Sequence, residues 1–89
     1  MDFEWDEAKR LANIDKHGID FLKIRQIFDG RAVSEVPSSR GEEDRVITTG
    51  MVEDRFVSVV WVRRGDVIRI ISARRSRDVE KRAYREIHG

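Results

Sequence analysis

The residues best suited to chemistry lie late in the chain, in the segment Arg69-Ile70-Ile71-Ser72-Ala73-Arg74-Arg75. Its β-branched apolar residues predict a strand, and a helix-forming segment follows from about Asp78. A guanidinium group presents a fork of N–H donors that matches phosphate oxygens, and it stays charged at any working pH. The segment therefore predicts a cationic strand-to-helix edge that binds an anion. The alternative is a surface strand whose arginines serve only solubility.

Side chains that transfer protons accompany this segment. Glu80 and Tyr84 are four residues apart, so on a helix they share one face beside the arginine-bearing strand. Such residues suit metal-free RNA cleavage, in which a base removes the 2′-hydroxyl proton, cations stabilise the pentacoordinate phosphate and an acid protonates the leaving 5′ oxygen. The candidate residues are Lys9, Lys16, His17, Arg69, Arg74, Glu80 and Tyr84.

Each candidate also has a purely structural interpretation. His17 ends a predicted helix, where the helix dipole favours it, and Lys9 and Lys16 are of the type that usually lies in solvent. Tyr84 is equally suited to packing its ring on a sheet with its hydroxyl in water. Arg69 is the hardest to explain structurally, because a charge between isoleucines beside a core needs a partner or a ligand.

Other catalytic chemistries find little support in the sequence. The chain has no cysteine, so it has no disulfide and no Cys-based zinc site. Glycine-rich phosphate loops are absent too, and we expect neither a metal nor a cofactor. A metal-dependent nuclease, the third alternative, needs a carboxylate cluster, and Glu42, Glu43 and Asp44 lie together only on a predicted loop.

Length and charge narrow the class of protein. The 89 residues predict a single domain, 1–89. From Arg63 onward there are 9 Lys and Arg against 4 Asp and Glu, whereas the first 62 residues hold 9 and 13. This asymmetry favours a basic face that meets phosphate or an acidic protein. No run approaches the roughly 20 apolar residues of a membrane span, and the acidic start is unlike a signal peptide. We therefore expect a cytoplasmic domain without membrane contact.

Two helices are predicted before the strands. Asp6 and Gly18 bound the first, Glu7 to His17, as its N-cap and its left-handed C-terminal residue. We expect its apolar stripe to comprise Ala8, Leu11 and Ala12. The second helix starts at Asp20 and ends at Asp29-Gly30, with a buried stripe of Phe21, Ile24, Ile27 and Phe28.

Four strands and a last helix follow, with a polar loop from Ser38 to Asp44 that we expect to be exposed. The predicted strands are Arg31 to Val36, Arg45 to Val52, Phe56 to Val62 and Val67 to Ala73. The third is the most hydrophobic and is predicted to be central. The last helix, Asp78 to Ile87, is expected to turn Val79, Ala83 and Ile87 towards the sheet. The fold class is α+β, with an antiparallel sheet of about four strands.

Several of these motifs together resemble the BrnT family of type II toxin–antitoxin toxins. The resemblance rests on the "WDxxK" pattern from Trp5 to Lys9, on Lys16-His17-Gly18 and on the Arg69–Arg74 segment. Asn13, Ile19, Phe21, Glu80-Lys81-Arg82 and Tyr84 also fit. The pattern runs from near the first residue to near the last, and the middle third, Arg31 to Val52, contributes little to it.

The resemblance implies a RelE-like fold and an endoribonuclease that cleaves RNA and arrests growth. It implies neutralisation by a BrnA-type antitoxin with a ribbon-helix-helix domain, whose complex with the toxin binds operator DNA and represses transcription. Carried over by position, the functional residues would come from Lys9, His17, Arg69, Arg74, Glu80 and Tyr84. The alternative is a non-catalytic subunit that acts only through operator binding by the toxin–antitoxin complex.

Overall fold

Five strands form one mixed sheet with three α-helices in the computed structural model, which describes residues 1–38 and 44–89. In chain order the elements are β1 (Asp2–Glu4), α1 (Glu7–His17), α2 (Phe21–Ile24) with a 3₁₀ turn (Arg25–Phe28), β2 (Val33–Pro37), β3 (Val46–Val52), β4 (Arg55–Arg64), β5 (Val67–Arg75) and α3 (Asp78–His88). The strand order across the sheet is β1-β5-β4-β3-β2. The α+β class is therefore confirmed, with β4 central as predicted.

The sheet differs from the prediction at its first edge. β1 was not predicted, and it pairs in parallel with β5, Asp2 opposite Val67 and Glu4 opposite Arg69. The other neighbours are antiparallel. The prediction of an antiparallel sheet of about four strands was thus wrong in the number of strands and in the direction of the β1–β5 pair. Three residues carry too little periodicity to signal a strand, and only the distant partner strand makes them one.

The caps of α1 act as the sequence predicts. Asp6 accepts hydrogen bonds from the backbone N–H groups of Ala8 at 2.9 Å and Lys9 at 3.3 Å. Gly18 has a φ of 69° and its N–H donates to the carbonyl of Ile14 at 2.8 Å. A left-handed residue without a Cβ ends the helix there without strain. Helix α1 therefore has the predicted bounds.

The inner face of the sheet carries the apolar core. Phe21, Ile24 and Ile27 are buried as predicted, and Phe28 is partly buried. The predicted second helix is shorter than expected, since it becomes a 3₁₀ turn at Arg25. Strands add the remaining buried apolar side chains, among them Val57, Val59, Trp61, Ile68, Ile70 and Ala73. Trp61 is a core anchor, and its indole N–H donates to Thr48 Oγ1 at 2.7 Å.

Two predicted helix faces point the wrong way. In α1, Ala8, Leu11 and Ala12 are exposed, and the buried residue is Asn13. In α3, Val79 and Ile87 are each 63% exposed, and Ala83 is half-buried. The face of α3 against the sheet carries Glu80, Tyr84 and His88 instead. Polar contacts with the sheet orient both helices, and a count of apolar residues does not detect such contacts.

The predicted loop from Ser38 to Asp44 lies mostly outside the described residues, and so do Glu42 and Glu43. The first predicted strand starts later and ends at Pro37. Within residues 1–38 and 44–89, no helix is long and apolar enough to cross a membrane.

Candidate functional site

A groove between α1 and β5 brings together the candidate residues of the first helix. Lys9, Lys16 and His17 line a cavity of about 210 Å³. Its wall on the sheet side is formed by Ile71 and Ser72 of β5. The helical spacing of these three side chains therefore places them together beside β5. We call this cavity the α1 groove.

Asn13 fixes α1 against β5. The partner strand β1 covers β5 only as far as Arg69, so beyond that point no strand of the described residues pairs with this edge of β5. Asn13 Oδ1 accepts from the backbone N–H of Ala73 at 3.1 Å, and its Nδ2 donates to the carbonyl of Ile19 at 2.9 Å. One buried amide thus satisfies two main-chain groups that a strand or water would otherwise satisfy.

A bulge in β5 changes which side chains reach this groove. Val60 pairs with Ser72 and Trp61 with Ile70, so Ile71 is an extra residue without a partner on β4. Such a bulge shifts the alternation of faces along the strand. Ile70 and Ala73 consequently both lie in the core, while Ile71 reaches the α1 groove.

Arg74 and Glu80 form a bidentate ion pair at the junction of β5 and α3. The guanidinium donates to Oε1 of Glu80 at 2.7 Å and to Oε2 at 2.9 Å. Their side chains are only 20% and 12% exposed. Oε1 also accepts from the backbone N–H of Arg77 at 2.7 Å, so the carboxylate satisfies the first turn of α3. Two fork contacts fix the plane of the guanidinium as well as its position.

A chain of buried hydroxyls on the sheet side forms hydrogen bonds that end at Glu80. Ser58 Oγ donates to Glu80 Oε1 at 3.0 Å and lies 2.8 Å from both Thr49 Oγ1 and Ser76 Oγ. Because a hydroxyl has one proton, which Ser58 gives to Glu80, the Thr49 and Ser76 hydroxyls donate to Ser58. Strands β3 and β4 therefore hold the carboxylate in place.

These contacts control the ionisation of Glu80. Burial alone raises its pKa, but hydrogen bonds from Arg74, the Arg77 N–H and Ser58 outweigh it and lower the pKa from 4.5 to about 2. The carboxylate also raises the pKa of Arg74 through its hydrogen bonds. A carboxylate this acidic and this fully bonded is a poor proton carrier near neutral pH.

A second cavity opens on the outer face of the sheet, past the N-terminal end of α3. It has a volume of about 320 Å³ and we call it the arginine cavity. Its lining residues are Pro37, Ser38, Arg45, Ile47, Val60, Ser72, Arg74 and Arg77. Ser72 lines both this cavity and the α1 groove. The two cationic sets therefore meet at one residue on the edge of β5.

Arg69 and Tyr84 line neither cavity. Arg69 faces Glu4 of β1, with 3.8 Å between NH1 and Oε2, so the charge beside the isoleucines has a partner. The Tyr84 ring packs edge-on against Phe56 at 5.1 Å and lies 4.9 Å from the ring of His88. Tyr84 shares a helix face with Glu80 as predicted. The structure does not, however, place Arg69 or Tyr84 in the lining of either cavity.

Arg45 and Arg77 are the cavity residues that sequence reasoning missed. Arg77 lies two residues beyond the end of the arginine-rich segment, and its charge was a usable signal. Arg45 precedes β3, far from Arg74 along the chain. Only the sheet register, with Ser38 N–H bonded to the Arg45 carbonyl at 2.8 Å, places it there. No local pattern in the sequence contains that information.

Metal ligands do not converge in the described part of the chain. Within residues 1–38 and 44–89, no group of three His, Asp or Glu side chains is placed to hold a metal ion. Asp44 is exposed, and its neighbours Glu42 and Glu43 lie outside the described residues. The expectation of a metal-free site stays a prediction.

Comparison with known proteins gives one family. A family model described as "Ribonuclease toxin, BrnT, of type II toxin-antitoxin system" matches residues 5–80. The match includes Lys9, His17, Arg69, Arg74 and Glu80, the last at its limit, and Tyr84 lies beyond it. No curated protein matches the chain.

Proposed function

The chain belongs to the BrnT family of ribonuclease toxins from type II toxin–antitoxin systems, and we propose that it is a metal-independent endoribonuclease acting around Ser72. The observation that carries this proposal is the position of Ser72, which lines both the α1 groove and the arginine cavity. Proton-transferring residues lie on one side of it and fixed positive charge on the other. That is the division of labour that RNA cleavage by a 2′-hydroxyl requires.

The mechanism assigns proton transfer to α1. A base among Lys9, Lys16 and His17 removes the 2′-hydroxyl proton, and the 2′ oxygen attacks the adjacent phosphorus. As the bond to the 5′ oxygen breaks, a protonated side chain of the same set gives a proton to that oxygen. The products are a 2′,3′-cyclic phosphate and a 5′-hydroxyl end. No metal is needed to balance these steps.

Arg74 supplies the electrostatic part of this mechanism. Its charge stabilises the negative charge that develops on the pentacoordinate phosphate. Glu80 is a positioning residue in this proposal, because it holds the guanidinium through two hydrogen bonds and has a pKa of about 2. Arg69 and Tyr84 have structural partners outside both cavities, and we propose that they support the site without contacting the substrate.

The family also supports a biological setting. Type II toxins have an antitoxin partner, which we propose is of the BrnA type with a ribbon-helix-helix domain. RNA cleavage in the cytoplasm would inhibit translation and growth, and the toxin–antitoxin complex, not the toxin alone, would bind operator DNA. The fold is proposed to be RelE-like.

A non-catalytic binding subunit is the second candidate. The observation in its favour is that the arginine cavity is lined by three arginines and, among the described residues, by no carboxylate side chain. Such a surface binds DNA phosphates or acidic antitoxin side chains as readily as RNA. Cleavage assays separate the two candidates.

The test uses a defined RNA with EDTA present, followed by analysis of the new ends. We expect 2′,3′-cyclic phosphate and 5′-hydroxyl ends from the wild-type protein. Lys9→Ala and His17→Ala should each lower the cleavage rate if that residue transfers a proton, by about 10²-fold or more. Lys23→Ala is the matched control, since Lys23 is exposed and lines neither cavity.

Intact RNA after incubation with the wild-type protein, both free and with translating ribosomes, would contradict the endoribonuclease proposal and leave the binding subunit. Cleavage that both α1 variants carry out at the wild-type rate would instead refute the assignment of proton transfer to Lys9 and His17.

A further inference from the structure

The arginine cavity has more positive charge than a single scissile phosphate requires. We propose that it is a nucleotide subsite, in which Arg45 and Arg77 bind the phosphate of the nucleotide next to the cleaved bond. This inference rests on the proposed function, since it takes RNA as the substrate. The volume of about 320 Å³ lies at the lower end of the range for small-ligand pockets. The cavity is therefore large enough to receive more than an ion.

Arg45 has an unsatisfied donor that points to a ligand. Its Nε is buried and has no hydrogen-bond partner among residues 1–38 and 44–89. A buried donor without a partner costs free energy comparable to a lost hydrogen bond. An anion in the cavity would satisfy it, and the guanidinium fork suits a phosphate oxygen pair. No apolar ligand relieves that cost.

Arg74 and Arg77 differ in how their charges are used. The Arg74 guanidinium is held by Glu80 through two hydrogen bonds. The backbone N–H of Arg77 donates to the same carboxylate, but its exposed side chain forms no ion pair with another described residue. Glu80 thus orients Arg74 through an ion pair, whereas Arg45 and Arg77 form no ion pair within residues 1–38 and 44–89 and offer their charge to a ligand.

The uncharged lining fits the rest of a nucleotide. Ile47 and Val60 are half-buried on the outer face of the sheet, and Ser72 adds a hydroxyl. Small-ligand sites combine an apolar lining with a few polar or charged groups, so this lining suits a nucleotide sugar or base beside its phosphate. Because Ser72 also lines the α1 groove, an RNA strand cleaved there continues directly into this cavity.

The experiment measures binding without cleavage. A fluorescein-labelled 2′-O-methyl RNA hexamer lacks the attacking hydroxyl, so its affinity is read by anisotropy over a range of salt concentrations. Each phosphate contact on single-stranded nucleic acid contributes about 0.7 to the slope of log K against log salt. Because both arginines bind the same phosphate, Arg45→Ala and Arg77→Ala should each reduce that slope by up to about 0.7.

The controls separate charge at the cavity from charge in general and from misfolding. Arg82→Ala removes the same charge from an exposed position on α3 that lines neither cavity, and its slope should equal that of the wild type. Arg45→Lys keeps the charge and should keep the slope. Slopes for Arg45→Ala and Arg77→Ala equal to that of Arg82→Ala would overturn the subsite, as would a wild-type protein that does not bind the hexamer.

Cleavage of unmodified RNA is measured in parallel. If the wild type cleaves RNA and the arginine variants bind the hexamer with an unchanged slope, the subsite fails and the proposed function stands. If the slopes fall as expected and no RNA is cleaved, the endoribonuclease fails and the cavity stands as an RNA-binding site.

Discussion

The two faces of the sheet are stabilised by different physics. The inner face buries apolar side chains from α2, the 3₁₀ turn and the strands, with Phe21 and Val59 fully buried. On the outer face, α3 has no buried residue and is attached through Glu80, ring contacts of Tyr84 and a hydrogen bond from His88 to the Val33 carbonyl at 2.8 Å. Apolar burial is non-directional, whereas hydrogen bonds fix orientation. The inner face supplies stability and the outer face positions a charge.

The largest expected effect comes from the inner face. Phe21→Ala removes a ring that is 0% exposed and should lower the free energy of unfolding by about 3–5 kcal/mol. Phe21 lines neither cavity, so cleavage per folded molecule should stay unchanged. Urea denaturation with a parallel cleavage assay checks both statements. A fall in activity larger than the fall in folded fraction would contradict the claim that the inner face contributes stability alone.

On the outer face, Glu80→Gln should cost about 2 kcal/mol at pH 7, because it removes charge-assisted hydrogen bonds. The cost should depend on pH. A carboxyl whose pKa is lowered from 4.5 to about 2 on folding stabilises fully above pH 4.5 and loses that contribution as the pH falls towards 2. Unfolding curves of the wild type and the variant should therefore converge in that range. A difference that stays constant from pH 7 to pH 2 contradicts the charge-based account.

Ser58→Ala tests whether the hydroxyl chain acts through Glu80. Ser58 is 0% exposed, and its loss should cost about 1–2 kcal/mol, because Glu80 loses one of its hydrogen bonds and the Thr49 and Ser76 hydroxyls lose Ser58 as a partner. In double-mutant cycles with Glu80→Gln, the two effects should couple by about 0.5 kcal/mol or more. With Phe21→Ala, on the other face, they should add. Additivity in both cycles would remove Ser58 from the positioning of Arg74.

The smallest effects are expected at the exposed apolar residues of α3. Val79→Ala and Ile87→Ala should each change the free energy of unfolding by no more than about 0.5 kcal/mol, because both side chains are 63% exposed. Thermal or urea unfolding is sufficient to measure this. A loss of about 2 kcal/mol at either position would mean that this side chain packs against the sheet, as the sequence predicted for α3.

The elements that the sequence predicts well are those fixed by local chemistry. Asp6 and Gly18 bound α1 as predicted, and the glycine at the turn between β4 and β5, Gly65, has a φ of 60°. The predictions fail where contacts with residues distant in the sequence determine the local structure. β1 is a strand only because β5 lies beside it, and Asn13 is buried only because the Ala73 N–H needs an acceptor.

The candidate site divides in the same way. Lys9, Lys16 and His17 follow helical spacing, so their shared groove was accessible from the sequence. Arg74, at the end of a strand, and Glu80, at the start of a helix, were both candidates from the sequence. The sequence did not indicate that they form an ion pair with each other. Arg45 depends on the register of β2 and β3. Periodicity is blind to such long-range contacts.

The parallel pairing of β1 with β5 has a consequence for the order of folding. The first strand of the sheet in chain order pairs with the last, since Asp2 lies opposite Val67, and non-local contacts of this kind form slowly. Helix α1 likewise docks on the sheet only when β5 is present, because Asn13 accepts a hydrogen bond from the N–H of Ala73. The α1 groove therefore does not exist on a nascent chain that stops before β5.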